Sequence, residues 1–435
     1  MTTSSIALPP ITGPFLEPGP LPGDFYSYGE LLSSEEAEAL GRLREFMRTE
    51  AAPIVDDYWA RAEFPFELID GFAQLGLSAW FDPDSPEQKP SNLMSGFTAM
   101  ELAHADASLA TFFGVHTGLG AGTINGLGSD EQRRRWLPAM SRMEKIGAFA
   151  LTEPHGGSDV AGGLETTARR DGDEWVLNGT KRWIGNATFA DLIIVWARDT
   201  ETNHVLGFVV EKGTPGFTAT KIENKIALRI VQNADIVLED CRVPDANRLE
   251  NATNFKATST ILRQTRAGVA WESVGVMLAS YEIALAYAKE REQFGRPIGK
   301  FQLMQDLLVK MLGNATASLG MMVRLAQLQD AGVFRDEQSA LAKAYCTVRG
   351  TPCASGSRCA RDLTARARSA PTPDIAAAAP ASSDRTGPGR RGPAGRAARP
   401  RGAVAERTPP GGRMRQRGAS CGHRPRVPVQ ARQAA

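Results

Sequence analysis

The chain has 435 residues, 42% of them apolar and 23% charged, with a formal net charge of +1. This length predicts two or three domains, and the composition is that of a soluble globular protein. The near-zero charge gives no sign of a nucleic-acid or membrane-surface partner, and no apolar run reaches transmembrane length. The N-terminus lacks the basic start of a secretory signal, so we expect a cytoplasmic protein without membrane insertion.

The near-zero charge conceals a change of composition at about residue 349. Residues 350–435 contain 17 arginines, four acidic residues and no Phe, Trp, Tyr or Lys, whereas the first 349 residues carry 33 basic and 45 acidic residues. The basic segment has too little apolar surface to offset the entropy cost of ordering, so we predict a disordered tail. Its Arg/Pro/Ala/Gly composition is also that of a GC-rich gene read in the wrong frame. A genuine tail would instead offer its charge to an acidic partner or a nucleic acid.

The cysteines give no sign of a metal site or a disulfide framework. None of the five falls in a paired metal-ligand spacing: Cys241, Cys346, Cys353, Cys359 and Cys421. Because small disulfide-stapled domains need regularly placed pairs, we expect neither a structural metal nor a set of disulfides.

The N-terminal part of the chain predicts helices. After a Pro-rich extension over residues 1–25, Ser33 precedes Glu36 by three residues, which is the signature of a capping box. The helix that follows has one apolar stripe, formed by Leu40, Leu43, Phe46 and Met47. Ser129 with Gln132 opens a later helix in the same way. We therefore expect an all-helical domain over residues 26–146.

Residues 147–245 change to patterns typical of strands. Asn178-Gly179 stands between two short β-prone runs, which is a strong hairpin signal. Further β-prone runs follow, divided by turn residues. We expect a compact antiparallel β-domain over residues 147–245.

Helices return from residue 255. Val269, Val276 and Ile283 recur every seven residues within one long predicted helix, Gly295 and Pro297 interrupt the pattern, and a second long helix follows. The methionines of the second helix are typical of core filling. The body is therefore of the α+β class, with a helical domain over residues 255–349 and the basic segment over residues 350–435.

The segment GAFALTEPHGGSD, which begins at Gly147, has a composition with two readings. Its glycines free the backbone and Pro154 fixes a bend, so exposed N–H groups beside Ser158 would suit an anion. A surface loop between two elements explains the same residues.

Three segments, in order and spacing, resemble the acyl-CoA dehydrogenase flavoprotein family over residues 25–349. They are GAFALTEPHGGSD, NGTKRWIGNATFADL and EREQFGRPIGKFQLMQ. Two further segments, KIENKIALRIVQNADIVLEDCRVPD and GVAWESVGV, are similar to the glutaryl-CoA dehydrogenase branch and to plant short-chain acyl-CoA oxidases. The resemblance implies an N-terminal helical domain, a central antiparallel β-domain and a C-terminal helical bundle that is incomplete here.

The resemblance also implies FAD as the cofactor and an acyl-CoA as the substrate. The positions that match cofactor contacts of the family are Phe149, Leu151, Thr152, Gly157, Ser158, Trp183, Ile184, Gly185, Arg291, Gln293, Phe294 and Gln302. Ser158 and Arg266 match positions near the bound acyl-CoA. Each of these residues also has an ordinary structural interpretation, such as a core position for Trp183 or an interhelical salt bridge for Arg266.

Two implications concern partners. Arg291, Gln293 and Phe294 match positions that reach the FAD of a neighbouring subunit, so a homotetramer is implied for an intact C-terminal domain. The electron acceptor implied by the family is an electron-transfer flavoprotein. Gly185 stands where most dehydrogenases of the family have threonine, and glycine is seen in oxidase relatives, so oxygen is an alternative acceptor.

The reaction implied by the resemblance needs a base that the sequence does not supply at the expected places. The family removes an α-proton with a carboxylate, taken from a Tyr-Glu-Gly-Thr segment after a Gly-Gly-Asn-Gly segment, and neither segment occurs here. Some relatives use a glutamate one residue before the arginine matched by Arg266, but this chain has Thr265 there. Glu272 is two turns further on, and we assign it a structural role. Met100 stands near the family's glutarate-binding arginine and favours an uncharged tail.

We therefore name no catalytic residue and expect an impaired FAD-dependent acyl-CoA dehydrogenase. The alternatives are an oxidase-like enzyme, a non-catalytic flavin- or CoA-binding protein, and a misfolded truncation product. Loss of the last helices of the bundle would expose apolar faces and lead to the third outcome.

Overall fold

The structure is a computed structural model, and it describes residues 23–86, 89–157 and 159–350. All of these residues belong to one compact unit. The Pro-rich extension up to residue 22, Ser158 and the tail from residue 351 lie outside the described residues. The predictions made for them remain predictions.

The N-terminal part is helical, as predicted. Its helices are α1 (Ser34–Phe46), α2 (Ala52–Arg61), α3 (Leu68–Gln74), α4 (Asn92–Ala105), α5 (Ala107–Gly114), α6 (Gly122–Leu127) and α7 (Asp130–Ser141). Wider π-helical turns over Met47–Ala51 and Val115–Ala121 connect α1 to α2 and α5 to α6.

Both predicted capping boxes form. The Ser33 hydroxyl accepts a hydrogen bond from the Glu36 N–H at 3.2 Å, and the Glu36 carboxylate accepts one from the Ser33 N–H at 3.1 Å. Ser129 and Gln132 make the same reciprocal pair at 3.2 and 3.0 Å. These bonds satisfy donors that the first turn of a helix otherwise leaves free, so they fix where α1 and α7 begin.

The middle part is a seven-stranded sheet. The strands are β1 (Gly147–Ala150), β2 (Thr167–Asp171), β3 (Glu174–Gly185), β4 (Leu192–Asp199), β5 (Val205–Glu211), β6 (Phe217–Lys221) and β7 (Asn233–Pro244). Their order is β1-β4-β2-β3-β7-β6, with β5 paired to β4. The predicted fold class is confirmed, but β4 pairs with β1 and β2 in parallel, so the sheet is mixed. Parallel pairing needs a long connection, which the chain between β1 and β4 provides.

The predicted hairpin at Asn178-Gly179 is wrong. Both residues lie inside β3, at a bulge in its pairing with β7. The turn that joins β2 to β3 is instead at Gly172 (φ +65°). Gly179 has a φ of +148°, and a Cβ there would lie 2.6 Å from the Thr166 hydroxyl. The Asn178 side chain donates to the Asp240 carboxylate on β7 and accepts from the Asp240 backbone N–H. The two turn-type residues are therefore used for a bulge, which demands the same backbone freedom as a turn.

The C-terminal part returns to helices. It contains α8 (Phe255–Glu290), a hairpin of β8 (Glu292–Gln293) and β9 (Arg296–Pro297), and α9 (Gln302–Asp330). A further helix runs from 336 to 350, where the described residues end. The 36 residues of α8 span about 54 Å.

Among the described residues, α8 is long and apolar enough to cross a membrane. From the sequence we expected no apolar segment of that length. Here it is a core helix. Trp271 covers Gly96 of α4, and Gly275 lies so close to the Met100 carbonyl that no Cβ would fit. Its apolar residues are thus used for packing against α4 and α9.

Three apolar clusters join these parts. One unites the N-terminal and C-terminal helices, and a second fills one side of the sheet. The third lies between the other side of the sheet and the helices, and includes Trp136 of α7, Trp196 of β4 and Ile261 of α8. Because this third cluster fixes the sheet against α8, the loop that follows β1 lies beside that helix.

Candidate functional site

A cavity of about 500 Å³ lies between the loop after β1 and α8. The loop contributes Leu151, Thr152, Gly157, Val160 and Ala161. The helices contribute Phe255, Ser259, Leu262, Thr265, Arg266, Val269 and Lys343. Four predicted site residues therefore meet at one cavity: Leu151, Thr152, Gly157 and Arg266.

A buried ion pair holds the loop in place. The Lys181 side chain of β3 is fully buried, and its Nζ donates to Glu153 Oε1 at 2.8 Å and to the Leu151 carbonyl at 3.2 Å. The Glu153 carboxylate also accepts from the backbone N–H groups of Glu165 (2.6 Å) and Thr166 (2.9 Å). Because every oxygen of the carboxylate is satisfied, the pair is stable in the interior.

The pKa values of this pair show what each partner does. Burial lowers the pKa of Lys181 to about 8, and the charge of Glu153 partly opposes that shift. Burial alone would raise the pKa of Glu153. The Lys181 ammonium and the hydrogen bonds outweigh burial and hold this pKa below its usual value. The carboxylate therefore stays ionised at neutral pH and keeps the loop tied to β3.

The end of β3 meets the same loop. The Arg182 N–H donates to the Thr152 carbonyl at 2.9 Å, and the next residue, Trp183, has a φ of +63° and is 52% exposed. The Asn233 amide donates to the Trp183 carbonyl at 3.3 Å, and its oxygen accepts from Lys225 at 2.7 Å. A left-handed conformation in a bulky residue costs about 1–3 kcal/mol, so the surrounding bonds maintain a strained tryptophan with an exposed ring.

Ile184 and Gly185 complete this strand end. Ile184 is buried in the cluster of the sheet, so its side chain supports the strand. A Cβ on Gly185 would lie 3.3 Å from Val115 and 3.8 Å from the Asn233 amide. Val115 thus takes up part of the space that a side chain at position 185 would occupy.

The Phe149 side chain belongs to the core beneath the strand end. Its ring is buried in the third cluster, 6.0 Å from the ring of Trp196. Only the backbone of Phe149 is therefore available for a ligand at this strand end.

Two cations border the cavity. Arg266 makes no ion pair or hydrogen bond with any described residue, so the salt bridge considered as its alternative role does not form within that part of the chain. Lys343, on the helix that begins at 336, is exposed and likewise borders the cavity. Sequence reasoning missed Lys343, because a single lysine on a terminal helix carries no motif. Together the two cations suit an anionic ligand.

The structural role assigned to Glu272 remains a prediction. Glu272 lies on α8 one turn beyond Val269, and its Oε1 is 3.4 Å from the position a Cβ on Gly114 would take. Burial raises the pKa of Glu272 to about 7, with no charged neighbour contributing. No partner for this carboxylate exists among the residues that the structure describes, whereas a structural glutamate at such a place is normally paired.

The remaining predicted residues lie elsewhere. Phe294 and Gly295 form the turn between β8 and β9, both with positive φ (+52° and +72°), and Phe294 is 93% exposed. Gln293 donates to the neighbouring Glu292 carbonyl, and Gln302 is exposed at the start of α9. Arg291 ends α8, about 38 Å along that helix from Arg266. The structure therefore does not bring this group to the cavity of its own chain.

Family models match nearly the whole described part of the chain. The N-terminal domain of acyl-CoA dehydrogenases matches residues 33–144, the middle domain 148–241 and the C-terminal domain 255–356.

Relatives agree with these matches. An acyl-CoA dehydrogenase of Bacillus subtilis is 33% identical over 73% of this chain and 84% of its own length. The mitochondrial short-chain specific acyl-CoA dehydrogenase of Mus musculus is 35% identical over 69% and 74%. Among solved structures, a glutaryl-CoA dehydrogenase from Mycobacterium smegmatis in complex with FADH2 is 32% identical, with a TM-score of 0.74 over 80% and 89%. The chain belongs to the acyl-CoA dehydrogenase family.

Proposed function

We propose that this chain holds FAD and an acyl-CoA thioester where the β1 loop, the end of β3 and α8 meet. FAD-dependent acyl-CoA dehydrogenation is the reaction of its family. The observation that carries the proposal is that the Leu151–Gly157 loop and two cations without a described ion-pair partner line one cavity. The strained, exposed Trp183 directly follows Arg182, whose N–H bonds this loop.

The residues present fit the cofactor. The Thr152 hydroxyl makes no hydrogen bond among the described residues, and the backbone at Gly157 is open, because a Cβ there would have no neighbour within 4 Å. The half-exposed ring of Trp183 follows in the adjoining strand end, with the Arg182 guanidinium 5.4 Å from the ring centroid. These three residues and the Leu151 backbone would hold the flavin, which when bound accepts a hydride from the β-carbon of the substrate.

The cavity walls fit a CoA thioester. Arg266 and Lys343 would offer positive charge to the acyl-CoA, and the apolar Leu262 and Val269 would contact its acyl chain. Met100 is buried in the core and offers no charge for a terminal carboxylate. We therefore propose a short to medium acyl chain without a terminal carboxylate, in line with the short-chain specific relatives.

The direct test is to purify the chain and add butyryl-CoA anaerobically. A bound yellow cofactor that bleaches supports the proposal. A bound cofactor that never responds to any thioester indicates the non-catalytic alternative, and a colourless protein that does not take up FAD contradicts the proposal altogether.

We propose further that the reaction is slow, because Thr265 occupies a position where some relatives carry the base. The Thr265 hydroxyl donates to the Leu262 carbonyl of its own helix and cannot act as that base. Replacement of Thr265 by Glu should raise the bleaching rate by about 10²-fold or more, the usual contribution of a positioned base. T265Q is the matched control. If the unaltered chain bleaches rapidly and T265E does not raise that rate, the proposal of an impaired enzyme is wrong.

The electron acceptor of the family is an electron-transfer flavoprotein, and Gly185 favours oxygen as a second candidate. We propose that oxygen reaches the reduced flavin more readily than in threonine-bearing relatives, although Val115 narrows the space. Rates of reoxidation with and without oxygen test this. A Gly185→Thr variant with an unchanged oxygen rate would remove the second candidate.

We also propose a homotetramer in the cytoplasm. Large apolar side chains are exposed along the hairpin and α9, namely Phe294, Leu303 and Val309, which is typical of an interface. Cys241 and Cys346 are buried free thiols, which is in line with a reducing compartment. Sedimentation and cell fractionation test the two points separately.

A further inference from the structure

We propose that Lys225 is a positioning residue of the flavin site: through the Asn233 amide it holds Trp183 in the conformation that presents the indole ring to FAD. Lys225 is not among the residues that line the cavity, so it acts at a distance through these two residues. This inference rests on the proposed function, because it concerns how the same flavin site is held in place.

Lys225 organises the segment between β6 and β7. Residues 222–232 form neither helix nor strand. The Lys225 Nζ donates to the carbonyls of Leu228 (2.7 Å) and Val231, and to Asn233 Oδ1 (2.7 Å). These three acceptors match the three donors of an ammonium group, so the whole hydrogen-bonding capacity of Lys225 is used within this part of the chain. The ammonium thus supplies bonds that an irregular segment does not obtain from a helix or a sheet.

The same contact fixes which way the Asn233 amide points. Asn233 opens β7, opposite Gly185 at the end of β3. Because the amide oxygen faces the ammonium, the NH2 group faces the Trp183 carbonyl, to which it donates at 3.3 Å. A flipped amide would set its NH2 group against the ammonium and its oxygen against the carbonyl. The charge of Lys225 therefore selects the one orientation that supports Trp183.

Trp183 needs support on both sides. Its φ of +63° is a costly conformation for a bulky residue, and it persists only where the surroundings hold it. Before it, the Arg182 N–H donates to the Thr152 carbonyl at 2.9 Å, and after it the Trp183 carbonyl accepts from Asn233. Loss of the second bond should let the backbone relax towards a negative φ, and the ring would turn with it.

The segment that carries Lys225 is itself anchored. Arg229 donates to the carbonyls of Trp59 (2.9 Å) and Ala60 (3.0 Å) at the end of α2, and to the Lys225 carbonyl at 3.1 Å. Val231 is fully buried in the cluster that unites the N-terminal and C-terminal helices. Lys225 is therefore fixed to the helical part of the molecule, while its ammonium group reaches the strand end that bears the tryptophan.

The test uses the full chain and measures two properties. The dissociation constant of FAD comes from calorimetric titration of the FAD-free protein, and the fluorescence of the bound flavin reports an adjacent indole ring, which quenches it. In K225M we expect FAD to bind about three- to tenfold more weakly, the effect of one hydrogen bond, and the bound flavin to fluoresce more strongly. W183G has neither the strain nor the ring. In that background K225M should change the affinity by less than about twofold and leave the fluorescence unchanged.

Two further variants serve as controls. Lys221, at the end of β6, pairs with Glu223 at 3.2 Å, so K221M removes the same charge close to the same segment. It should leave both measurements within about twofold. N233A breaks the link to Trp183 and keeps the ammonium, so it should reproduce the K225M result. Urea unfolding of the FAD-free chains shows whether each variant folds, and N233A carries the test if K225M does not.

The outcomes separate the two proposals. A chain that binds FAD equally well with and without Lys225 overturns this inference alone. So does an affinity loss that is just as large in the W183G background, or in K221M, because Lys225 would then act through the segment as a whole or through its charge. Unchanged flavin fluorescence in K225M also overturns it. A protein that does not take up FAD overturns the proposed function, and this inference with it.

Discussion

Two regions of the molecule carry the residues that match cofactor contacts of the family, and they are built in opposite ways. Around the cavity, the buried pair of Lys181 and Glu153 and an exposed hydrogen bond from Asn233 fix the backbone, and a strained Trp183 is tolerated. At the β8–β9 hairpin, Phe294 is almost fully exposed and its side chain contacts one ring, that of Phe301. The first region is held by contacts within the chain, whereas the side chain at the tip of the second is exposed.

The difference has an energetic reason. A site that holds a ligand in one chain must already be rigid, so its supports are buried and each support is costly to remove. A surface that meets another copy is stabilised only on contact, so single changes there cost the isolated chain little. Variants in the two regions should therefore separate stability from assembly.

The largest effect is expected from Lys181→Met. This variant leaves the Glu153 carboxylate buried without its cation and removes the donor to the Leu151 carbonyl. Loss of one partner of a buried pair costs about 3–5 kcal/mol. Urea unfolding measures the loss, and the double variant K181M/E153Q should recover part of it. Arg182→Met is the neighbouring control, since its ion pair with Asp235 is long and exposed and should cost less than about 1 kcal/mol. Equal losses in K181M and R182M would show that burial does not set the cost.

A smaller effect is expected from pH. The folded chain holds the pKa of Glu272 at about 7, above its ordinary value of 4.5, so the folded state binds the extra proton between these values. The contribution of this group to stability is therefore full below pH 4.5 and is lost as pH rises through 7, by up to about 3 kcal/mol. Ligand-free E272Q should lose this slope, while E290Q should keep it. A slope that is the same in all three chains would mean that Glu272 titrates normally.

Local signals predicted much of this fold. The two capping boxes fixed the starts of α1 and α7, because their hydrogen bonds join residues three apart. The Asn178-Gly179 signal failed, because positive φ serves a bulge as well as a turn, and the choice depends on the pairing of β3 with the distant β7. The parallel pairs of β4 were missed for the same reason: strand order is set by contacts far apart in sequence.

The site was only partly predictable. The motifs named Thr152, Trp183 and Arg266, but they did not reveal that Lys181 and Glu153 form the support, since these two are 28 residues apart. Lys343 and the missing partner of Glu272 could be recognised only from the packing of separate helices. Sequence patterns thus identified the residues that belong to a motif, and the structure identified those that act through distance and burial.

Trp183→Gly is expected to raise the unfolding free energy and to weaken FAD binding, both by a modest amount. Glycine adopts a φ of +63° without strain, so the ligand-free protein should gain about 1 kcal/mol in unfolding free energy. Loss of the ring should weaken FAD binding by roughly two- to tenfold. W183F, which retains an aromatic face and the strain, is the control for both measurements. A variant that loses stability would show that the ring packs on the chain itself and that the exposed face is not a cofactor surface.

The smallest effect on the isolated chain is expected from Phe294→Asn. Asparagine tolerates a positive φ and precedes Gly295, so the turn becomes the Asn-Gly sequence that two-residue hairpins favour. Unfolding free energy should change by less than about 0.5 kcal/mol, while sedimentation should show a lower assembly state. Ile226→Asn, at a residue that is 95% exposed in the segment between β6 and β7, is the matched control and should leave assembly unchanged. An F294N protein that assembles like the unaltered chain would mean that the exposed ring at this hairpin is not part of the interface, and the contrast between the two regions would then rest on rigidity alone.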